Sequence, residues 1–192
     1  MSDNGVVLVV EDAPDVAETY RRWLASSYEV RVAEDGETAL SRLDESVDVV
    51  LLDRMMPETS GDEVLAEIRK RGIDCRVAMV SAVDPDFDVL EMGFDAYLTK
   101  PPDREELLST IDRLFDRAEL DDDMQEYYSL VARKGALESE KSASELEESE
   151  AYDELIDRIE RVELIVDDEL GDLRSDTEFV SAVREIDEGG EE

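Results

Sequence analysis

Val6-Val7-Leu8-Val9-Val10-Glu11-Asp12 is the stretch on which the reading of this chain turns. Five apolar residues, four of them valine, run without a polar break into two carboxylates. An unbroken β-branched run of this length is the pattern of a parallel strand buried on both faces. The abrupt acidic end marks where such a strand leaves the core. Four further runs repeat the theme: Glu29–Ala33, Val47–Leu52, Arg76–Val80 and Ala96–Leu98.

Amphipathic stretches fill the gaps between these runs. One spans Pro14–Ala25, with Val16, Tyr20, Trp23 and Leu24 on one side, and another spans Glu37–Leu43 after a turn at Asp35-Gly36. A third starts at Ser60, an N-cap with Glu63 three residues on, and stops at Gly72. A short fourth segment follows Asp84-Pro85 and ends at Gly93. The fifth follows Pro101-Pro102 with Asp103 as its cap and Leu107, Leu108, Ile111, Leu114 and Phe115 as its stripe. Five strands alternating with five helices predict an α/β fold. Its expected form is a five-stranded, parallel, doubly wound, flavodoxin-like sheet of order 2-1-3-4-5, with its site at the C-terminal strand ends.

After Arg117 the pattern changes. From 119 to 192 there is no proline and no strand-like run. Leu120, Met124, Tyr127 and Val131 recur at helical spacing, and Tyr152, Leu155, Ile159, Val162 and Val166 step by 3, 4, 3 and 4 in a heptad seam. The region is expected to be all-α and partly coiled-coil. The seam suits a dimer or a helix folded back on its neighbour equally well. Ser139–Ser149 reads as a solvated helix or a linker. The expected division is 1–118 for the α/β domain, 119–186 for an acidic helical domain and 187–192 for a disordered tail.

Composition removes several classes of function. The 192 residues include 55 Asp+Glu, 20 Lys+Arg and no histidine, for a formal charge of −35. Without histidine there is no Ser-His-Asp or Cys-His catalysis, no imidazole metal site and no phosphohistidine within this chain. One cysteine, Cys75, rules out an internal disulfide and a multi-cysteine metal site. No apolar run is long enough to span a membrane, and the N-terminal stretch lacks the basic and apolar regions of a signal peptide. A cytoplasmic location is expected. Residues 1–118 carry 28 acids and 13 bases, and residues 119–192 carry 27 and 7. Acid this widespread, with only four lysines, predicts adaptation to a very salty cytoplasm.

In the expected topology the polar strand ends share one edge. Glu11 and Asp12 end the first strand, Asp53 the third, Ser81 the fourth, and Thr99-Lys100-Pro101 the fifth. Three gathered carboxylates repel unless a cation intervenes. Oxygen ligands without histidine or cysteine suit a hard ion such as Mg²⁺. A hard metal, an ammonium and a hydroxyl around a carboxylate make a site for a phosphoryl group.

The motifs Val-Val-Glu-Asp at 9–12, Leu-Leu-Asp-Arg-Met-Met-Pro at 51–57 with Gly61, Met-Val-Ser-Ala at 79–82 and Tyr-Leu-Thr-Lys-Pro at 97–101 resemble the receiver domain of two-component response regulators. The resemblance implies that Asp53 accepts a phosphoryl group from the phosphohistidine of a histidine kinase. It implies that Mg²⁺ is held by Glu11, Asp12, Asp53 and the backbone carbonyl of Met55. Lys100 would pair with a phosphoryl oxygen, Ser81 would turn its hydroxyl toward the phosphate, and Tyr97 would swing inward. Pro101 stands where the family has a cis bond. Such a protein catalyses only its own phosphorylation and dephosphorylation. One departure shows: Ser81 to Lys100 spans 19 residues, about one helical turn fewer than is usual. The short fourth helix puts the usual receiver dimer in question. Residues 127–141 and 145–155 resemble the HalX domain that follows receivers in haloarchaea.

The leading expectation is a phosphorylation-controlled response regulator signalling through protein contacts, with homodimerisation through the receiver or the C-terminal helices left open. Transcriptional control by DNA binding through the C-terminal helices is the alternative, and the charge of −20 over 119–192 weighs against direct DNA contact. A phosphatase of the haloacid-dehalogenase class needs a second acid where Met55 stands, and a nucleotide site needs a glycine-rich loop where Glu11-Asp12-Ala13-Pro14 stands. An unphosphorylated binding scaffold is a further alternative, opposed by the complete set of site residues.

Overall fold

Val7, Leu8 and Val9 have no exposed surface, and the strand they form, β1 (Val6–Val10), is paired on both sides. In a computed structural model, which describes residues 5–117 and 122–170, five parallel strands lie in the order β2-β1-β3-β4-β5. The others are β2 (Glu29–Ala33), β3 (Val49–Asp53), β4 (Arg76–Ser81) and β5 (Ala96–Thr99). Burial follows position in the sheet. Central β3 and β4 are buried at every residue, whereas edge strands β2 and β5 are buried only in part.

Alternate residues of each strand feed two separate cores. Val7, Val9, Val49, Leu51, Ala78 and Val80 face α1 (Pro14–Leu24) and α4 (Arg104–Arg117), meeting Tyr20, Leu24, Leu107, Ile111 and Leu114. Leu8, Val10, Val50, Leu52, Val77 and Met79 face α2 (Gly36–Arg42) and α3 (Gly61–Arg71), meeting Ala39, Val64, Leu65 and Ile68. The helix ends follow their sequence signals. Asp35 accepts from Thr38 N at 2.6 Å, Ser60 and Glu63 close a capping box, and Asp103 accepts from Glu106 N at 2.8 Å. Gly72, at φ 65°, ends α3 in the left-handed region that glycine enters without strain.

The fourth crossover departs from the expected alternation. Instead of an α-helix the chain makes one 3₁₀ turn, Phe87–Glu91, capped by Asp86. Pro85 and the acids at 84, 86 and 88 interrupt the apolar pattern, and Val89 and Leu90, with Phe87 partly buried beside them, make too short a face to propagate a helix.

The C-terminal helices cover what this turn leaves bare. Helices α5 (Asp122–Glu140) and α7 (Glu150–Leu170) pair as an antiparallel hairpin, joined by the short α6 (Ala143–Glu147) with its Ser142–Glu145 capping box. Both long helices pack on the 3₁₀ turn, and α5 also packs on β5. Met124, Tyr128, Leu130, Leu137, Leu155, Ile159, Val162 and Val166 join the core shared by α2 and α3. The heptad seam of α7 is thus filled from within its own chain, which realises the folded-back alternative. Ser139–Ser149 takes in the end of α5 and the capped helix α6, which buries Leu146. Leu120, residues 171–186 of the expected helical domain and the expected tail at 187–192 lie outside the described residues, as does the 118/119 boundary. No helix among the described residues is long and apolar enough to cross a membrane.

Candidate functional site

β1 and β3 are neighbours in register, so their C-terminal ends deliver Glu11, Asp12 and Asp53 to one place. One carboxylate oxygen from each lies within 4.8 Å of the others. Glu11 and Asp53 are almost wholly buried, while Asp12 faces outward. From the end of β5, Lys100 Nζ donates to Glu11 Oε2 at 2.6 Å and to Asp53 Oδ2 at 2.8 Å. Met55 N donates to Asp53 Oδ1 at 2.9 Å, so both Asp53 oxygens are held. Burial raises the Glu11 pKa above the ordinary carboxylate value, and the neighbouring Asp53 charge adds to the rise while Lys100 opposes it. For Lys100 burial works against the charge, but hydrogen bonds to Asp53 and Glu11 outweigh it and raise the pKa. The ammonium stays charged.

The remaining expected residues stand nearby in different settings. Ser81 is fully buried at the end of β4, and its Oγ accepts from Val83 N at 3.0 Å. Lys100 N donates to Ser81 O at 2.7 Å, which joins the two strand ends, and the Lys100–Pro101 bond is cis. Tyr97 belongs to β5 and does not contact the acids; its hydroxyl donates to Val83 O at 2.7 Å and its ring lies 5.6 Å from that of Phe94. Met55 is 60% exposed, and its backbone N–H is what reaches Asp53.

Two supporting features complete the arrangement. At Gly61 a Cβ would lie 2.3 Å from the Asp53 carbonyl oxygen, so only glycine lets α3 start this close to β3. Arg54 was not singled out from the sequence, yet it is 7% exposed and follows Asp53 directly. Its Nε pairs with Asp62 Oδ1 at 3.0 Å, and its Nη2 pairs with Asp88 of the 3₁₀ turn. The available signal is an arginine placed directly after the strand-ending Asp53.

Chemically, the cluster joins hard oxygen donors to one fixed ammonium. Three carboxylates converging without histidine or cysteine fit a small divalent cation that keeps part of its water, as Mg²⁺ does.

Known proteins place this architecture. The family model of the response regulator receiver domain matches residues 7–112, so the chain belongs to the response regulator receiver family. The HalX domain model matches residues 116–183, so a HalX domain follows the receiver. A Haloferax volcanii protein, named provisionally as a transcriptional regulator, is 50% identical over 158 residues, covering 82% of this chain and 27% of that protein. The alkaline phosphatase synthesis transcriptional regulatory protein PhoP of Bacillus subtilis is 34% identical over 122 residues, covering 61% of this chain and 51% of its own length. The chain therefore spans about a quarter of the first relative and half of the second. Among solved structures, the receiver domain of the Francisella response regulator 1452 aligns with TM-score 0.55 and 31% identity, over 60% of this chain and all of that one.

Proposed function

We propose that the chain is a cytoplasmic response regulator of a two-component phosphorelay, with residues 1–118 as receiver and 119–186 as its helical output. Asp53 takes the phosphoryl group and the phosphohistidine of a histidine kinase gives it. The observation that carries this reading is the Lys100 bridge: one ammonium between two buried carboxylates at the end of a parallel sheet. A buried acid cluster kept only for stability has little reason to hold Asp53 by both oxygens and leave Asp12 open to solvent.

In the transfer an Asp53 oxygen attacks phosphorus, a P–O bond forms, and the P–N bond breaks with its electron pair returning to the kinase imidazole. Glu11, Asp12, Asp53 and the Met55 carbonyl would hold Mg²⁺, which supplies charge neutralisation for the phosphoryl oxygens. Lys100 gives its positive charge to a phosphoryl oxygen. Ser81 Oγ gives up Val83 N and donates to another, and Tyr97 moves with it. The chain acts on no separate substrate.

The test is incubation of the full chain with acetyl phosphate and Mg²⁺ in molar KCl, read by intact mass. Wild type gains one phosphoryl group and Asp53→Asn gains none. An adduct that survives Asp53→Asn refutes the assignment. Loss of the adduct on chelation of Mg²⁺ supports the metal's place in it.

For the output, the regulators named among the relatives favour a second reading, DNA contact through the C-terminal helices. The 27 acids against 7 bases over 119–192 argue for protein contacts first. A duplex-binding isotherm of the phosphorylated chain whose affinity falls steeply with salt would favour DNA. With the α7 seam filled from its own chain, a dimer through that seam is not proposed, and the complete site opposes a scaffold that is never phosphorylated.

A further inference from the structure

A groove runs beside β5 between α4 and the α5–α7 hairpin, with a cavity of about 650 Å³. Leu98, Val131, Ala132, Ile156 and Ile159 give it an apolar lining. Two features of its walls have no counterpart among the described residues. Gly135 sits inside α5, where glycine costs stability relative to alanine. A Cβ there would meet nothing within 4 Å, so no described neighbour requires the glycine. On the facing wall, Arg113 and Arg117 stand four residues apart on α4, a like-charged pair that repels. Arg113 donates to Ser109 O and Thr110 Oγ1, and the Arg117 guanidinium lies 4.3 Å over the Tyr128 ring. Among the described residues neither pairs with a carboxylate, in a chain of 55 acids and 20 bases. The acids that line the groove are placed elsewhere. Asp95 is held by Arg69 and Val77 N, Glu138 by Lys134 and Tyr152, and Glu106 and Glu163 are exposed. The glycine admits a close backbone, and the arginines ask for an anionic one.

The path of the chain supplies such a segment. Helix α7 passes Glu138 at Tyr152 and Glu126 at Arg158, then runs about three more turns to Leu170. It therefore ends at the Arg117 end of the groove. Gly171 comes next, the residue type that stops a helix and lets the chain turn back. Residues 171–192, outside the described residues, carry 8 acids and 2 bases. Within them Phe179, Val180, Val183 and Ile186 recur at helical spacing, a stripe that needs a cover. The HalX match extends to residue 183, so this stripe belongs to the same unit as the hairpin. As a helix Asp176–Ile186 would be about 15 Å long, and the α5 wall from Tyr127 to Glu138 is about 17 Å.

We infer that residues 176–186 form an amphipathic helix that turns back from α7 and lies in this groove. Phe179, Val183 and Ile186 face the apolar lining, the helix backbone passes over Gly135, and Asp172 and Asp176 reach Arg117 and Arg113. The C-terminal domain then closes on the receiver with three long helices instead of two. The inference is independent of the phosphoacceptor reading, since neither the groove nor the segment touches Asp53.

The experiment uses the full chain in molar KCl. Ala132→Cys puts a small thiol on the groove wall. Native Cys75 stays silent, because it is 1% exposed and burial pushes its thiol up to about 11. Maleimide labelling of Ala132→Cys should quicken about tenfold when Phe179→Asp is added. Gly135→Gln, which the described neighbours leave room for, should quicken amide exchange over 176–186 by about tenfold. Circular dichroism checks the fold of Phe179→Asp, and if it fails Gly135→Gln decides alone. Labelling within about twofold with and without Phe179→Asp, or exchange over 176–186 unmoved by Gly135→Gln, overturns the inference. Protection of the thiol that rises with protein concentration, with a dimer in light scattering, assigns the groove to a second copy and overturns it too.

Discussion

Gly61 and Cys75 each make a demand that their neighbours enforce. Any Cβ at 61 meets the backbone of Asp53 and Arg54, which belongs to the sheet and cannot step aside. Gly61→Ala should therefore cost about 1–3 kcal/mol by the measure of overpacked sites, seen as a lower denaturant midpoint. Phosphoryl uptake should drop with it, because the displaced atoms carry Asp53. Cys75 is buried directly before β4, and burial pushes its thiol up to about 11. The unfolded thiol ionises near pH 9, so the folded state keeps a proton that the unfolded state loses. This contribution is complete below about pH 9 and is lost as pH rises toward 11. Cys75→Ala should flatten the fall of the denaturation midpoint with pH over that window; an unchanged slope would place its cause elsewhere.

At the scale of elements, the hairpin is the part whose energetics most need measuring. Leu137 in α5 has no exposed surface, whereas Leu164 in α7 is 73% exposed. Leu137→Ala should cost about 2–5 kcal/mol, and Leu164→Ala should stay within about 0.5 kcal/mol of wild type. Equal effects in chemical denaturation would mean that the hairpin does not dock as described. The elements also differ in how far the sequence discloses them. Val6–Val10 and Val49–Asp53 read directly as buried strands, because continuous valine and leucine have no other stable use over so few residues. Ser60–Glu63 and Asp103 read directly as caps, since their hydrogen bonds are local. The seam of Leu155, Ile159, Val162 and Val166 declares that a partner exists but not which one, because 3-4 spacing records a stripe and not its cover. The burial of Arg54 and Arg133 is not legible for the same reason: an arginine's burial depends on carbonyls and carboxylates distant in sequence. The meeting of Glu11, Asp12, Asp53 and Lys100 was legible once strand order was, since parallel strands place their ends on one edge.

Across the whole molecule the −35 charge is a surface property. Among the described residues Arg54, Arg76 and Arg133 are each less than a tenth exposed, and so are Glu11, Asp53 and Asp95, so the buried charges cancel. The surface carries the acid excess that the composition implies. Salt should therefore stabilise the fold: the Debye length shrinks from about 10 Å at 0.1 M to about 3 Å at 1 M, which quenches repulsion between surface acids. The melting temperature should climb with KCl across that range, and a flat response would sink the idea of salt adaptation. The docked hairpin has a practical corollary for anyone who divides the chain. Val89, Leu90 and Phe94 are covered in the intact protein, and α5 and α7 are what pack on that turn. A fragment trimmed at residue 118 would present these side chains to water as a sticky face. It would be a poor stand-in for the receiver in any assay, and grafting a different output unit onto it would remove a wall of the domain along with the old one.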